Sequence, residues 1–101
     1  MESHGWEADC NHFPGGDNRW LKIRGTVMVP GANDSAELVP RELQGANADD
    51  YILELIIHNE PGPEVMTPCR LEYKEQPPSG EYKTVTIIPD GPAGLKVRHL
   101  Q

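Results

Sequence analysis

The sequence predicts an all-β fold, a small antiparallel β-sandwich or partly open β-barrel of about five or six strands. Three observations predict it. Apolar residues recur with a period of two in several short stretches, and no helical period runs for ten or more residues. The ten prolines and ten glycines gather between those stretches, where they punctuate strands with turns. No strand–helix–strand alternation is present, which argues against the α/β folds that bind nucleotides. A chain of 101 residues has room for a single domain, 1–101.

Residues 1–18 show no sustained period and read as an irregular N-terminal arm, tacked to the core by Trp6 and Phe13 and closed by the turn cluster 14–17. Residues 19–29 are the clearest strand. Leu21, Ile23, Val27 and Val29 share one face, and Trp20, Lys22, Arg24, Thr26 and Met28 share the other. Gly25 interrupts the apolar face and predicts a bulge, a bend or a close backbone approach. Residues 30–50 form a long connection. Within it, 35–43 reads either as an edge strand that tolerates Pro40 or as a helical turn on each side of it.

Residues 51–58 are a second strand. Ile52, Leu53, Leu55, Ile56 and Ile57 make a nearly continuous apolar run, the pattern of a central strand covered on both faces. Residues 69–75 alternate again, with Cys69, Leu71 and Tyr73 opposite Arg70, Glu72 and Lys74. The connector 76–80 and the strand-like 81–88 predict a β-hairpin with 69–75. After the turn 89–94, residues 95–100 make a last strand, with Leu95, Val97 and His99 opposite Lys96, Arg98 and Leu100.

The formal net charge is −7, which opposes nonspecific nucleic-acid binding. The acid lies in the arm and the loops, whereas the first strand carries Arg19, Lys22 and Arg24 and the last carries Lys96 and Arg98. Such cations can simply guard strand edges against aggregation. They can also form a basic sheet face around Trp20, suited to an acidic peptide or a nucleic-acid strand, in competition with the overall negative field. Trp20, Lys22, Arg24, Lys96 and Arg98 are therefore the candidate binding residues.

His4, Cys10 and His12 offer ligand types suited to zinc or copper, although their spacing matches no structural zinc pattern. The two cysteines make no disulfide framework, and a 10–69 bridge is the one pairing open to them. Cys69 is expected to be buried, and Cys10 to be the more exposed. His58 beside Glu60 has the composition of a general base, yet it also reads as an ordinary strand end. Phosphate-binding loops and nucleophile motifs are absent, so no cofactor is expected and no enzyme hypothesis stands out.

These residues point first to a noncatalytic module that binds another protein through a sheet face or edge. A metal-binding protein using His4, Cys10 and His12 is the alternative, and an acidic inhibitor of a basic site is a second alternative. A strand edge also offers a route to a homodimer. No run is long and apolar enough to span a membrane. The first residues lack the features of a secretory leader, which makes cytoplasm the expected location.

Overall fold

The computed structural model describes residues 3–11, 19–42, 44–45, 48–76, 78, 82–89 and 91–100. They form seven strands: β1 (Ser3–Asn11), β2 (Leu21–Val29), β3 (Ser35–Pro40), β4 (Asp50–His58), β5 (Thr67–Glu75), β6 (Thr84–Ile88) and β7 (Leu95–Leu100). No helix occurs among the described residues. The strands join in the order β3-β4-β6-β7-β1-β2-β5, and the two ends of that order, β3 and β5, pack against each other. The result is a nearly closed, barrel-like sheet. Strand β7 links its two halves, because Leu95 and Lys96 pair with β6 while Val97 to Leu100 pair with β1.

The expected all-β architecture forms, with a seventh strand and with two parallel pairings, β1 with β7 and β4 with β6, among the antiparallel ones. The additional strand is β1. Residues 3–11 are therefore not an irregular arm; residues 12–18, with His12 and Phe13, lie outside the described residues. A bulge hides this strand from a periodicity reading. His4 pairs with Thr26 and Glu7 with Arg24, so Gly5 and Trp6 together face the single residue Gly25. Two residues against one reset the alternation of side chains along the strand. Gly5 takes a φ of 69°, a conformation that costs glycine little. The Trp6 ring occupies the place a Cβ on Gly25 would need, which is the close approach expected at that glycine.

The core is built from alternate residues of both halves. Leu21, Ile23, Val27 and Val29 of β2 are buried, as their period predicts, beside Ala8, Leu71 and Val97. Leu38, Tyr51, Leu53, Leu55, Val85 and Ile87 complete it. Strand β4 departs from the expectation of cover on both faces. Tyr51, Leu53 and Leu55 are buried, while Ile52, Glu54 and Ile56 are only half-buried. The β3 segment resolves as a strand at the end of the strand order, with Pro40 as its last residue.

The expected hairpin of 69–75 with 81–88 does not form. Strand β5 pairs along its whole length with β2, and β6 pairs with β4 and β7. Strands β5 and β6, consecutive in the chain, thus belong to different halves of the sheet. At the β3–β5 seam, side chains join the halves beyond the end of β3. The hydroxyls of Tyr51 and Tyr73 both donate to Glu75 Oε2, at 2.5 and 2.6 Å. Tyr82 stacks on Tyr51 with ring centroids 4.3 Å apart. Burial first, and then the hydrogen bond to Glu75, push the Tyr73 phenol pKa upward.

Candidate binding face

The outward sides of β5, β2, β1 and β7 make one continuous face. Register places Lys74 opposite Lys22, Glu72 opposite Arg24, and Arg70 opposite Thr26. Across β1, Glu7 lies beside Arg24, and Asp9 lies between Lys22 and Arg98. Lys96 is two residues before Arg98 and points the same way, since Val97 between them is buried. Six of the nine Lys and Arg residues of the chain thus share this face (Lys22, Arg24, Arg70, Lys74, Lys96 and Arg98), with three acids among them, Glu7, Asp9 and Glu72.

The six cations fall into two groups. Arg24 and Arg98 converge on the two acids of β1. Arg98 holds Asp9 through Nε to Oδ1 at 2.7 Å and Nη2 to Oδ2 at 3.2 Å. Arg24 holds Glu7 through Nε and Nη2, both at 2.8 Å from Oε2. Cross-contacts of 3.6 Å from Arg24 to Asp9 and 3.7 Å from Arg98 to Glu7 close an alternating ring of charges. The Asp9 side chain is only 9% exposed, so it is the anchor of this ring. Its hydrogen bond first, and its negative charge second, raise the pKa of the Arg98 guanidinium.

Lys22, Arg70, Lys74 and Lys96 form the second group. Among the described residues none of them has a carboxylate within ion-pair distance. Lys22 Nζ instead lies 4.7 Å from the centre of the Trp20 ring, a cation–π contact. Lys22 and Lys74 are directly opposite each other across two strands, an arrangement that like charges disfavour. Near the bulge, an open groove of about 430 Å³ is lined by Gly5, Arg24, Gly25, Thr26, Arg70, Leu71 and Glu72.

The five predicted binding residues therefore lie on neighbouring strands, but with different surroundings. Trp20, Lys22 and Lys96 remain at the accessible part of the face, and Arg24 and Arg98 are taken up by Glu7 and Asp9. Sequence reasoning passed over Arg70 and Lys74, whose place beside β2 depends on a strand pairing about fifty residues away in the chain. The clean alternation of 69–75 marked both as outward, which was the available signal.

The predicted metal ligands are not brought together. His4 and Cys10 lie on one strand, six positions and roughly 20 Å apart. His4 is exposed and Cys10 is buried, the reverse of the exposure expected for Cys10. Polar neighbours in the sequence hid its inward direction. No group of three or more His, Cys, Asp or Glu residues able to hold a metal occurs among the described residues. His12, the third ligand considered, lies outside them. Cys10 and Cys69 are free thiols, and their partners on β2, Leu21 and Val27, are six residues apart. That separation, again roughly 20 Å, excludes a bridge between them in this fold. Cys69 is half-buried. His58 ends β4 on the surface, with Nε2 3.1 Å from Glu37 Oε1.

No helix among the described residues is long and apolar enough to cross a membrane. No family model, curated protein or solved structure matches this chain.

Proposed function

We propose that the protein is a noncatalytic binding module, and that the outer face of β5, β2, β1 and β7 holds an acidic segment of a partner protein. The observation that supports this reading is the group Lys22, Arg70, Lys74 and Lys96: cations with no carboxylate in ion-pair distance among the described residues, on one sheet face of a chain whose net charge is −7. Lys22 stands opposite Lys74 on β5, and the carboxylate in register with it on β1, Asp9, is taken up by Arg98 and Arg24. An anionic strand laid along β2 and β5 relieves the repulsion between Lys22 and Lys74, and Trp20 supplies an aromatic edge beside it. A protein segment fits better than a nucleic acid, because the negative field of the rest of the molecule opposes a phosphate polymer more than a short peptide.

The test is a titration with a fluorescent glutamate-rich peptide at low and high salt, run beside a single-stranded oligonucleotide. Peptide binding that weakens with salt and disappears in the Lys22→Glu, Arg70→Glu, Lys74→Glu triple variant supports the reading. Equal binding by that variant, no peptide binding, or preference for the oligonucleotide overturns it.

A further inference from the structure

Lys22 of β2 and Lys74 of β5 are cross-strand partners, two like charges set directly opposite each other. Their pairing is also the closer of the two kinds an antiparallel ladder offers. The Asn11 amide donates to Trp20 O at 3.2 Å, so alternate residues of β2 from Trp20 onward, Lys22 included, turn their backbone groups toward β1. Lys22 and Lys74 therefore exchange no backbone hydrogen bonds, and in such pairs the side chains stand nearest, with Cβ atoms about 4.5–5.5 Å apart. Both side chains leave the outer side of the sheet, because Leu21, Ile23 and Tyr73 pack on the inner one.

The nearby acids are engaged elsewhere. Asp9, in register with Lys22 on β1, is held by Arg98 at 2.7 Å and lies 3.6 Å from Arg24. Glu72, two residues before Lys74, stands opposite Arg24. Among the described residues neither lysine has a carboxylate within ion-pair distance. The Trp20 ring, its centre 4.7 Å from Lys22 Nζ, steadies that ammonium without cancelling its charge.

Two adjacent ammonium groups are neutralised in one contact by a dianion. A carboxylate or a phosphodiester brings a single charge. A phosphate monoester brings about −1.5 to −2 and three acceptor oxygens, enough to take a hydrogen bond from each Nζ. Arg70 indicates what carries the phosphate. It lies four residues from Lys74 on β5, roughly 13 Å away on the same face. One phosphate cannot reach both places, whereas an extended peptide can. Between them, Arg24 opposite Glu72 contributes one charge of each sign, so the residue midway along the peptide needs none. The net charge of −7 opposes an anionic bilayer, whose charge fills a plane, more than it opposes a short peptide.

We infer that the acidic segment held by this face is phosphorylated, with its phosphate monoester between Lys22 and Lys74 and an acid four residues away at Arg70. The inference rests on the reading of the face as a site for acidic segments, and it names the modification that such a segment carries.

Calorimetric titration tests it with three versions of one peptide, which differ at a central position: glutamate, phosphoserine, or the singly charged methyl ester of phosphoserine. Each has glutamate four residues away on either side. The phosphoserine form is expected to bind roughly tenfold tighter than the other two, the gain of one further charged hydrogen bond. Lys22→Gln and Lys74→Gln are each expected to erase that advantage while leaving weaker binding of the glutamate form. Lys83→Gln, at a lysine accompanied by Asp49, is expected to preserve it. Equal affinity for the three peptides overturns the inference and leaves the wider reading standing. An advantage that survives both lysine changes also overturns it, because the phosphate then sits elsewhere. Binding of inorganic phosphate, or of vesicles containing a phosphoinositide, as tightly as the phosphopeptide overturns it too. If no version of the peptide binds, the inference and the wider reading fall together.

Discussion

Two sets of cations occupy the same sheet face, and they differ in what surrounds them. Arg24 and Arg98 reach across β1 and are held by Glu7 and Asp9, the latter almost fully buried. Lys22, Arg70, Lys74 and Lys96, on β2, β5 and β7, have no carboxylate within ion-pair distance among the described residues. The first set ties together three strands, β2, β1 and β7, whose residues lie far apart in sequence. The second makes no such ties between strands among the described residues. Charge type therefore does not separate the two sets here; the ion pairs that each side chain makes do.

The contrast depends on the bulge, because Gly5 and Trp6 turn Glu7 and Asp9 onto the face that carries Arg24 and Arg98. Gly25→Ala is expected to have the largest effect. Its Cβ would fall within the Trp6 ring, and overpacking of this kind costs toward the upper end of about 1–3 kcal/mol. A urea denaturation midpoint that does not fall would show that Trp6 moves aside freely. Asp9→Ala comes next. It removes the buried acceptor of Arg98 and weakens the grip on Arg24, a loss of roughly 1–3 kcal/mol for a charge-assisted hydrogen bond, less what Arg98 recovers from water. Unchanged stability in the same denaturation would mean that the ring is ornamental.

Much of the barrel was legible in the sequence. The face Leu21, Ile23, Val27 and Val29 is buried as its period requires, and Gly25 marks a close approach. Strand β1 was not legible for two physical reasons. The bulge breaks its alternation, and Glu7 and Asp9 resemble solvated acids until their partners arrive from Arg24 and from Arg98, 17 and 89 residues away. Pairing between distant strands leaves no local signature, which also explains the misplaced hairpin and the overlooked Arg70 and Lys74. Of the candidate face, Trp20, Lys22 and Lys96 were readable as outward residues of basic strands. The neutralisation of Arg24 and Arg98 was not.

The seam extends the comparison from charges to phenols. Tyr51 and Tyr73 are satisfied by Glu75, as Arg98 is by Asp9. The Tyr73 pKa is raised in the folded protein above its unfolded value of about 10. Its contribution is therefore complete below pH ~10 and is lost as the pH climbs past that point, where the unfolded chain releases the proton more readily. The melting temperature is expected to fall on this alkaline limb. Tyr73→Phe is expected to flatten the fall while lowering stability slightly at neutral pH. An alkaline limb of the same steepness in the variant would assign it to other groups.

Lys74→Glu is expected to have the smallest effect on stability and gives the sharpest test of the contrast. In the folded chain Lys74 faces Lys22 directly across β5 and β2. Exchanging one of a like-charged pair for its opposite turns a repulsion into an attraction, worth roughly 0.2–1 kcal/mol on a sheet surface. The variant should therefore melt slightly higher than the parent while binding the glutamate-rich peptide more weakly, since the new carboxylate both repels the peptide and occupies Lys22. A change in the Arg24–Asp9 set cannot give that combination, because it removes a contact the fold uses. If Lys74→Glu lowers stability, Lys74 has a structural partner and the division between the two sets fails. If it raises stability and leaves peptide binding intact, the division stands but the second set serves solubility or edge protection.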